Sequence, residues 1–300
     1  MASLVSHRLP LIPPASKIHA SQLGSVSPSR HDVVTTLNYW KDPGDGSAPL
    51  PIIVGDTKVT NERPTIAFQV TVEDVTGQEG HFTLDSHGFQ FCRHESNEKL
   101  FNDEQRIQCE YFPEAEKLLR HITGASRVHV FDYKVRRGPS YWHQLGQNNV
   151  ASRGPLRRVH IDQSYHGAEL VLRKYWPEEN DALMERRWQI INLWRPIKSI
   201  HQDPLAVADS KSVPEADLVA TSVLDDSGEK KAETWTVRPN AAHRWYFKYE
   251  QTPDEVVLIK CFDSAKDIAR RAPHCAFEDP AYGGDEECRE SVEVRALLVY

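Results

Sequence analysis

Apolar and polar residues alternate in short runs along most of this chain, and only a few stretches carry the wider spacing of a helix. Residues 66–72 and 88–92 read as strands, separated by the turn-rich stretch 75–80, and are expected to build an outer sheet. Residues 114–122 bring Ala115, Leu118, Leu119 and Ile122 to one face, the spacing of an amphipathic helix that Thr123 and Gly124 end. Residues 127–135 alternate as a strand. From Arg157 onward come eight further short strands, over 158–161, 189–194, 205–208, 234–237, 244–249, 256–262, 274–277 and 292–299. Between the first two, residues 167–187 return to helical spacing at Leu170, Val171, Tyr175 and Leu183, broken near Pro177. Eight such strands suit a double-sheet jelly roll. The expected fold class is mainly β with flanking helices (α+β), with a jelly-roll, cupin-like core over 157–300. An outer-sheet and helical region reaching to about residue 150 precedes it; 33–300 form a single domain and 1–32 a flexible N-terminal arm.

Composition narrows the class. Apolar residues make up 39% of 300, with 7 Trp, 10 Tyr and 10 Phe, which excludes a disordered chain. A formal charge of −7 offers no broad basic surface for a phosphate backbone, so a small-molecule substrate is expected and nucleic acid is not. Cys92, Cys109, Cys261, Cys275 and Cys288 are odd in number and form no Cys-x-x-Cys pair. That argues against a disulfide framework and a thiolate zinc site, and for a reduced, cytoplasmic protein. No apolar run approaches the roughly 20 residues that span a bilayer, so no membrane association is expected. The first thirty residues lack acids and include Arg8, Lys17 and Arg30, a faint transit-peptide character, but Pro10, Pro13 and Pro14 oppose the amphipathic helix such a peptide needs. A homodimer is left open.

His160 and Asp162 are two apart on an expected strand, so both side chains leave the same face and can reach one ion. Two histidines and a carboxylate can hold one face of Fe(II) and leave the opposite face open to co-substrate and O₂. A second such pair, His201 and Asp203, lies in a Pro-bounded turn, and only the first stands at the start of the eight-strand run. The alternative for His160 and Asp162 is a strand-end salt bridge. Two histidines compete as third ligand, His274 at the start of the penultimate strand and His243 in the stretch 240–246; a histidine hydrogen-bonded within the fold is the alternative for either. Arg289 and Ser291 share a face of the last strand, where a guanidinium fork and a hydroxyl suit the distal carboxylate of 2-oxoglutarate. Their alternative is a solvated ladder on an edge strand, continued by Glu293 and Arg295. Asn192 and Trp194 face one way, toward a cofactor or a metal-bound water, and Arg195 the other; plain packing competes with that role. Trp245, Tyr246 and Phe247 read as core. The polar loop 143–149 is able to orient a substrate. No dinucleotide, P-loop or nucleophile-elbow motif is present.

Several stretches in order, His160-Ile161-Asp162-Gln163-Ser164, Ile191-Asn192-Leu193-Trp194-Arg195-Pro196, Pro204-Leu205-Ala206-Val207, His243-Arg244-Trp245-Tyr246, the run 254–264, Pro273-His274 and the run 289–297, resemble the fungal hydroxylase/desaturase family. Relatives in that family include oxygenases of aspergillic acid and novofumigatonin biosynthesis. The resemblance spans roughly 128–300 and leaves the first 127 residues, a source of substrate specificity, largely uncovered. It implies a double-stranded β-helix oxidoreductase of secondary metabolism, a dioxygenase using Fe(II), 2-oxoglutarate and O₂. C–H abstraction would lead to hydroxylation, desaturation or oxidative cyclisation. On the resemblance His160, Asp162 and His274 are the metal ligands and Arg289 with Ser291 the oxoacid anchor, while His243 also stands in a family motif. Two other readings stay open: a non-catalytic accessory protein on the same barrel, and a cupin-like metal enzyme that does not use 2-oxoglutarate.

Overall fold

The structure, a computed structural model, describes residues 30–61, 63–282 and 287–300. Most of the expected N-terminal arm, residues 1–29, lies outside the described residues. Where description begins, Arg30 pairs with Glu73 at 3.0 Å and His31 with Asp279 at 2.9 Å, so this stretch is tied to the barrel.

Two sheets make the barrel. The smaller has five strands in the order Phe89–Arg93, Glu255–Asp263, Trp188–Pro196, Ser291–Val299 and Arg127–Arg136. The larger has ten: Val33–Trp40, Thr65–Asp74, Trp245–Phe247, Leu205–Ala208, His274–Ala276, His160–Ile161, Lys230–Val237, Leu218–Leu224, Ile52–Val54 and Val59–Thr60. Ile161, Ala206, Val237 and Cys275 of the larger sheet share one core with Trp188, Ile190, Phe262, Leu297 and Val299 of the smaller. Each large apolar side chain buried there contributes about 1.5–3 kcal/mol.

Strand parity then assigns the faces. In Trp188–Pro196, Ile191 and Leu193 turn outward under the helix Phe112–Thr123, where they meet Ala115 and Leu119. Asn192 and Trp194 consequently turn inward. The outward Arg195 is buried too, its guanidinium donating to the carbonyls of His94 and Pro253 at 2.6 and 2.7 Å and to the Tyr111 hydroxyl at 3.1 Å. The segment after Asp162 becomes the helix Tyr165–Tyr175, capped by Ser164, which accepts from the Gly167 amide. Gly167 is required there, because a Cβ would lie 2.0 Å from the Glu233 carbonyl oxygen. That approach clamps the helix onto Lys230–Val237, directly behind the His160 strand. Trp176 and Pro177 end it, as the sequence leads one to expect.

Three expectations change. The stretches 66–72 and 88–92 do not pair with each other; the strand containing the first extends the larger sheet and Phe89–Arg93 edges the smaller. Val33–Trp40, the Ile52–Thr60 hairpin and Leu218–Leu224 are additional strands. Arg289 precedes the last strand, which starts at Ser291, and that strand lies between two neighbours, so the edge-strand ladder does not exist.

Candidate metal centre

His160 sits on a two-residue strand whose partner across the ladder is His274, and this register brings the two rings to a centroid distance of 4.5 Å. Asp162, two residues on, returns to the same face. One ligand atom from each of His160, Asp162 and His274 lies within 4.8 Å of the others. Both imidazoles are oriented by backbone: His160 Nδ1 is 2.8 Å from the Arg158 carbonyl and His274 Nδ1 is 3.1 Å from that of Ala272. A carbonyl accepts only from N–H, so each ring carries its proton on Nδ1 and leaves the Nε2 lone pair for the centre. His274 Nε2 is buried without a hydrogen-bond partner. Burial, with His160 adding to it, pushes the His274 pKa down to about 4, which keeps the ring in its ligating neutral form.

Asp162 is held by two donors on one oxygen, Asn192 Nδ2 at 2.6 Å and Arg295 Nη2 at 3.0 Å. Its other oxygen faces His160 Nε2 at 3.5 Å. Burial by itself would raise this carboxyl, but the Arg295 guanidinium and His160 outweigh it and hold Asp162 well below the usual carboxylate range. Arg295 also bonds Asp132 at 3.0 Å and Glu293 at 3.1 Å, and Lys134 bonds Asp132 at 2.6 Å. This polar group faces into the barrel. Reading Glu293 and Arg295 as a solvated ladder inverted the strand; their alternation with Val292, Val294 and Ala296 was legible, but not which side was inside.

His243 is elsewhere. Its Nδ1 lies 3.0 Å from the Tyr39 hydroxyl and its Nε2 3.0 Å from Asp217 Oδ2, so both nitrogens are engaged within the fold. His201 is exposed, and Asp203 pairs with Arg157 at 2.6 Å. Arg289 is buried, donates through Nη1 to the Asp203 carbonyl at 2.7 Å, and lies 5.4 Å from the Trp194 ring centroid. Its Nε has no partner, nor has the buried Ser291 hydroxyl or Asn192 Oδ1. Buried polar atoms of native folds are rarely left unpaired. An orphaned imidazole nitrogen beside a carboxylate fits a metal, and an orphaned guanidinium N–H beside an orphaned hydroxyl fits a carboxylate ligand.

A jelly roll with two histidines and one carboxylate converging inside it is the arrangement that non-haem iron oxygenases use. The comparisons agree. A family model described as "Oxidoreductase/YMDC permease-like domain" matches residues 37–299. The hydroxylase/desaturase efuI of Hormonema carpetanum is 36% identical over 290 residues, 89% of this chain and 95% of the relative. The alpha-ketoglutarate-dependent dioxygenase phiK of Fungal sp. (strain ATCC 74256) is 34% identical, over 92% of this chain and 99% of that one. A solved structure of the iron and alpha-ketoglutarate-dependent endoperoxidase NvfI superposes with a TM-score of 0.79 at 24% identity, covering 93% of this chain and 99% of that one, and supports the fold. The chain belongs to the family of fungal Fe(II)/2-oxoglutarate-dependent hydroxylases and desaturases. It is an oxidoreductase whose cofactors are Fe(II) and 2-oxoglutarate, and the accessory-protein and 2-oxoglutarate-independent readings are set aside. Among the described residues, no helix is long and apolar enough to cross a membrane.

Proposed function

We propose that His160, Asp162 and His274 hold Fe(II), and that Arg289 with Ser291 receives the distal carboxylate of 2-oxoglutarate. The observation carrying this is the set of unpartnered buried atoms, His274 Nε2, Arg289 Nε and Ser291 Oγ, in one barrel with the cluster. When bound, iron and its oxoacid supply the oxidation of an unactivated C–H bond, which opens the routes to hydroxylation, desaturation or oxidative cyclisation of a small secondary metabolite. The chain's own residues do the positioning. Asn192 and Arg295 fix the Asp162 carboxylate so that its second oxygen faces the centre, and Trp194 backs the Arg289 guanidinium. Arg295 keeps Asp162 ionised and burial keeps His274 neutral, so neither ligand has to lose a proton before metal binds.

Residues 33–300 act as one catalytic unit, because Thr65–Asp74 pairs directly with the Trp245–Phe247 strand of the barrel. Five free cysteines suit a reducing, cytoplasmic setting.

The test is anaerobic reconstitution with Fe(II) and 2-oxoglutarate, following the weak visible charge-transfer band of an oxoacid chelated to iron. Wild type develops the band, and Arg289→Ala requires at least about tenfold more 2-oxoglutarate to reach it, since a charge-assisted anchor is lost. A protein that binds iron yet forms no band would refute the assignment.

A further inference from the structure

The cavity in front of the cluster carries more positive charge than the cluster needs. It has a volume of about 320 Å³ and reaches His160 and Asp162. Five cations line it, Arg63, Lys134, Arg136, Arg153 and Arg295, against the carboxylates of Asp132 and Asp162. Lys134 and Arg295 are already committed to those carboxylates. Among the described residues Arg63, Arg136 and Arg153 form no ion pair. Arg63 spends its donors on Asn61 and Thr221, but Arg136 donates only from Nη1, to the Gly154 carbonyl at 2.9 Å, and Arg153 Nε is buried with no partner.

His143 stands with them. Both of its ring nitrogens are buried and unpartnered, and the ring stacks on Trp142 at 3.7 Å between centroids. Burial first, then Arg158, Arg136 and Arg153, pushes its pKa down to about 4, so it faces the cavity as a neutral ring with one N–H to donate. Burial lowers the pKa of both guanidiniums; Arg295 lowers that of Arg136 further, and Arg136 and Arg295 that of Arg153, as cations sharing one cavity do. The remaining wall is mostly apolar, with Val54, Leu156 and Val223 among its residues and Asn61 and Thr234 as polar members.

We infer that the substrate is an apolar molecule bearing an ionised acid group, which Arg136 and Arg153 receive with His143 donating beside them, over the iron-facing end of the cavity. Calling this ligand the substrate rests on the oxygenase assignment; the anion preference does not. Guanidinium donors left without partners in a half-buried pocket are costly, and an oxyanion compensates them through short charge-assisted bonds. The co-substrate's carboxylate is the other source of such chemistry, and Arg289 with Ser291 already answers for it.

Two fluorescent probes share one apolar body and differ in charge: 1-anilinonaphthalene-8-sulfonate and the uncharged N-phenyl-1-naphthylamine. Each is titrated into the full chain, without metal and then with Mn(II) and saturating 2-oxoglutarate. The sulfonate is expected to bind at least about tenfold tighter than the neutral probe, Arg153→Gln to remove that margin and Arg153→Lys to restore most of it. Among the described residues Arg153 makes no side-chain hydrogen bond, so its loss orphans no partner there; circular dichroism of the variant checks the fold. Equal binding of the two probes, or an Arg153→Gln variant that keeps the preference, would overturn the inference. Displacement of the sulfonate by 2-oxoglutarate would also overturn it, assigning these cations to the co-substrate. Failure of iron binding with the anion preference intact would instead count against the oxygenase centre.

Discussion

Asp162→Asn separates metal binding from folding. The side chain belongs to a linked set of three carboxylates, Asp132, Asp162 and Glu293, against two cations, Lys134 and Arg295. That set has one negative charge in excess. Replacing Asp162 by its isosteric amide balances it and leaves Arg295 paired with Asp132 and Glu293 at 3.0 and 3.1 Å. What is lost is the charge on an oxygen accepting from Asn192 at 2.6 Å and Arg295 at 3.0 Å. Each bond falls from the charged to the neutral range, so the net cost is about 1–2 kcal/mol, or roughly 2–3 °C of Tm for a chain of this length. Metal is different. At a hundredfold excess over Kd, Mn(II) as a redox-stable stand-in stabilises wild type by about 2.7 kcal/mol, close to 4 °C. With one of the three proposed ligands turned into a neutral amide, the variant is expected to shift by less than about 1 °C. Scanning fluorimetry with and without Mn(II) reads both quantities. A variant that keeps the full metal shift, or that is already unfolded at 25 °C without metal, would refute the reasoning.

Two further outcomes follow from the same geometry. His274 is held at about 4 in the folded state against about 6.5 unfolded, so below 6.5 the unfolded chain takes up a proton that the folded chain refuses. Its contribution is therefore complete above 6.5 and lost as pH falls toward 4, by about 2 kcal/mol at pH 5. Urea midpoints of metal-free wild type and His274→Gln at pH 7.5 and 5 test this, and an identical pH dependence in both would contradict it. His243→Gln removes one partner each from the Tyr39 hydroxyl and Asp217, which keep Trp245 and Asn240, and should cost about 1–3 kcal/mol of stability, while leaving the Mn(II) shift of roughly 4 °C intact. Loss of that shift would return His243 to the ligand set.

The strands of the core were legible because a half-buried strand writes its period into local sequence. Leu205–Ala208 matches the expected span, and the expected helix at 114–122 is Phe112–Thr123 in the structure. Val33–Trp40 escaped notice although its residues alternate between buried and exposed, since Val33-Val34-Thr35-Thr36 puts like residues on opposite faces and hides the period. The His-x-Asp pair was legible for the same local reason that the strand period was.

Sequence alone determined which side chains could share a face: His160 with Asp162, Asn192 with Trp194, and Ser291 with Glu293 and Arg295, because strand geometry is set by neighbouring residues. Only the tertiary structure puts His274 rather than His243 beside His160 and Asp162, since that placement rests on a ladder register joining distant parts of the chain, His274 opposite His160, while Tyr39 and Asp217 engage His243. It also decided which face of the last strand looks inward. A row of arginine, serine and glutamate reads as solvent-facing until two neighbouring strands enclose it, and burial of charge is a property of the closed barrel that no local pattern records.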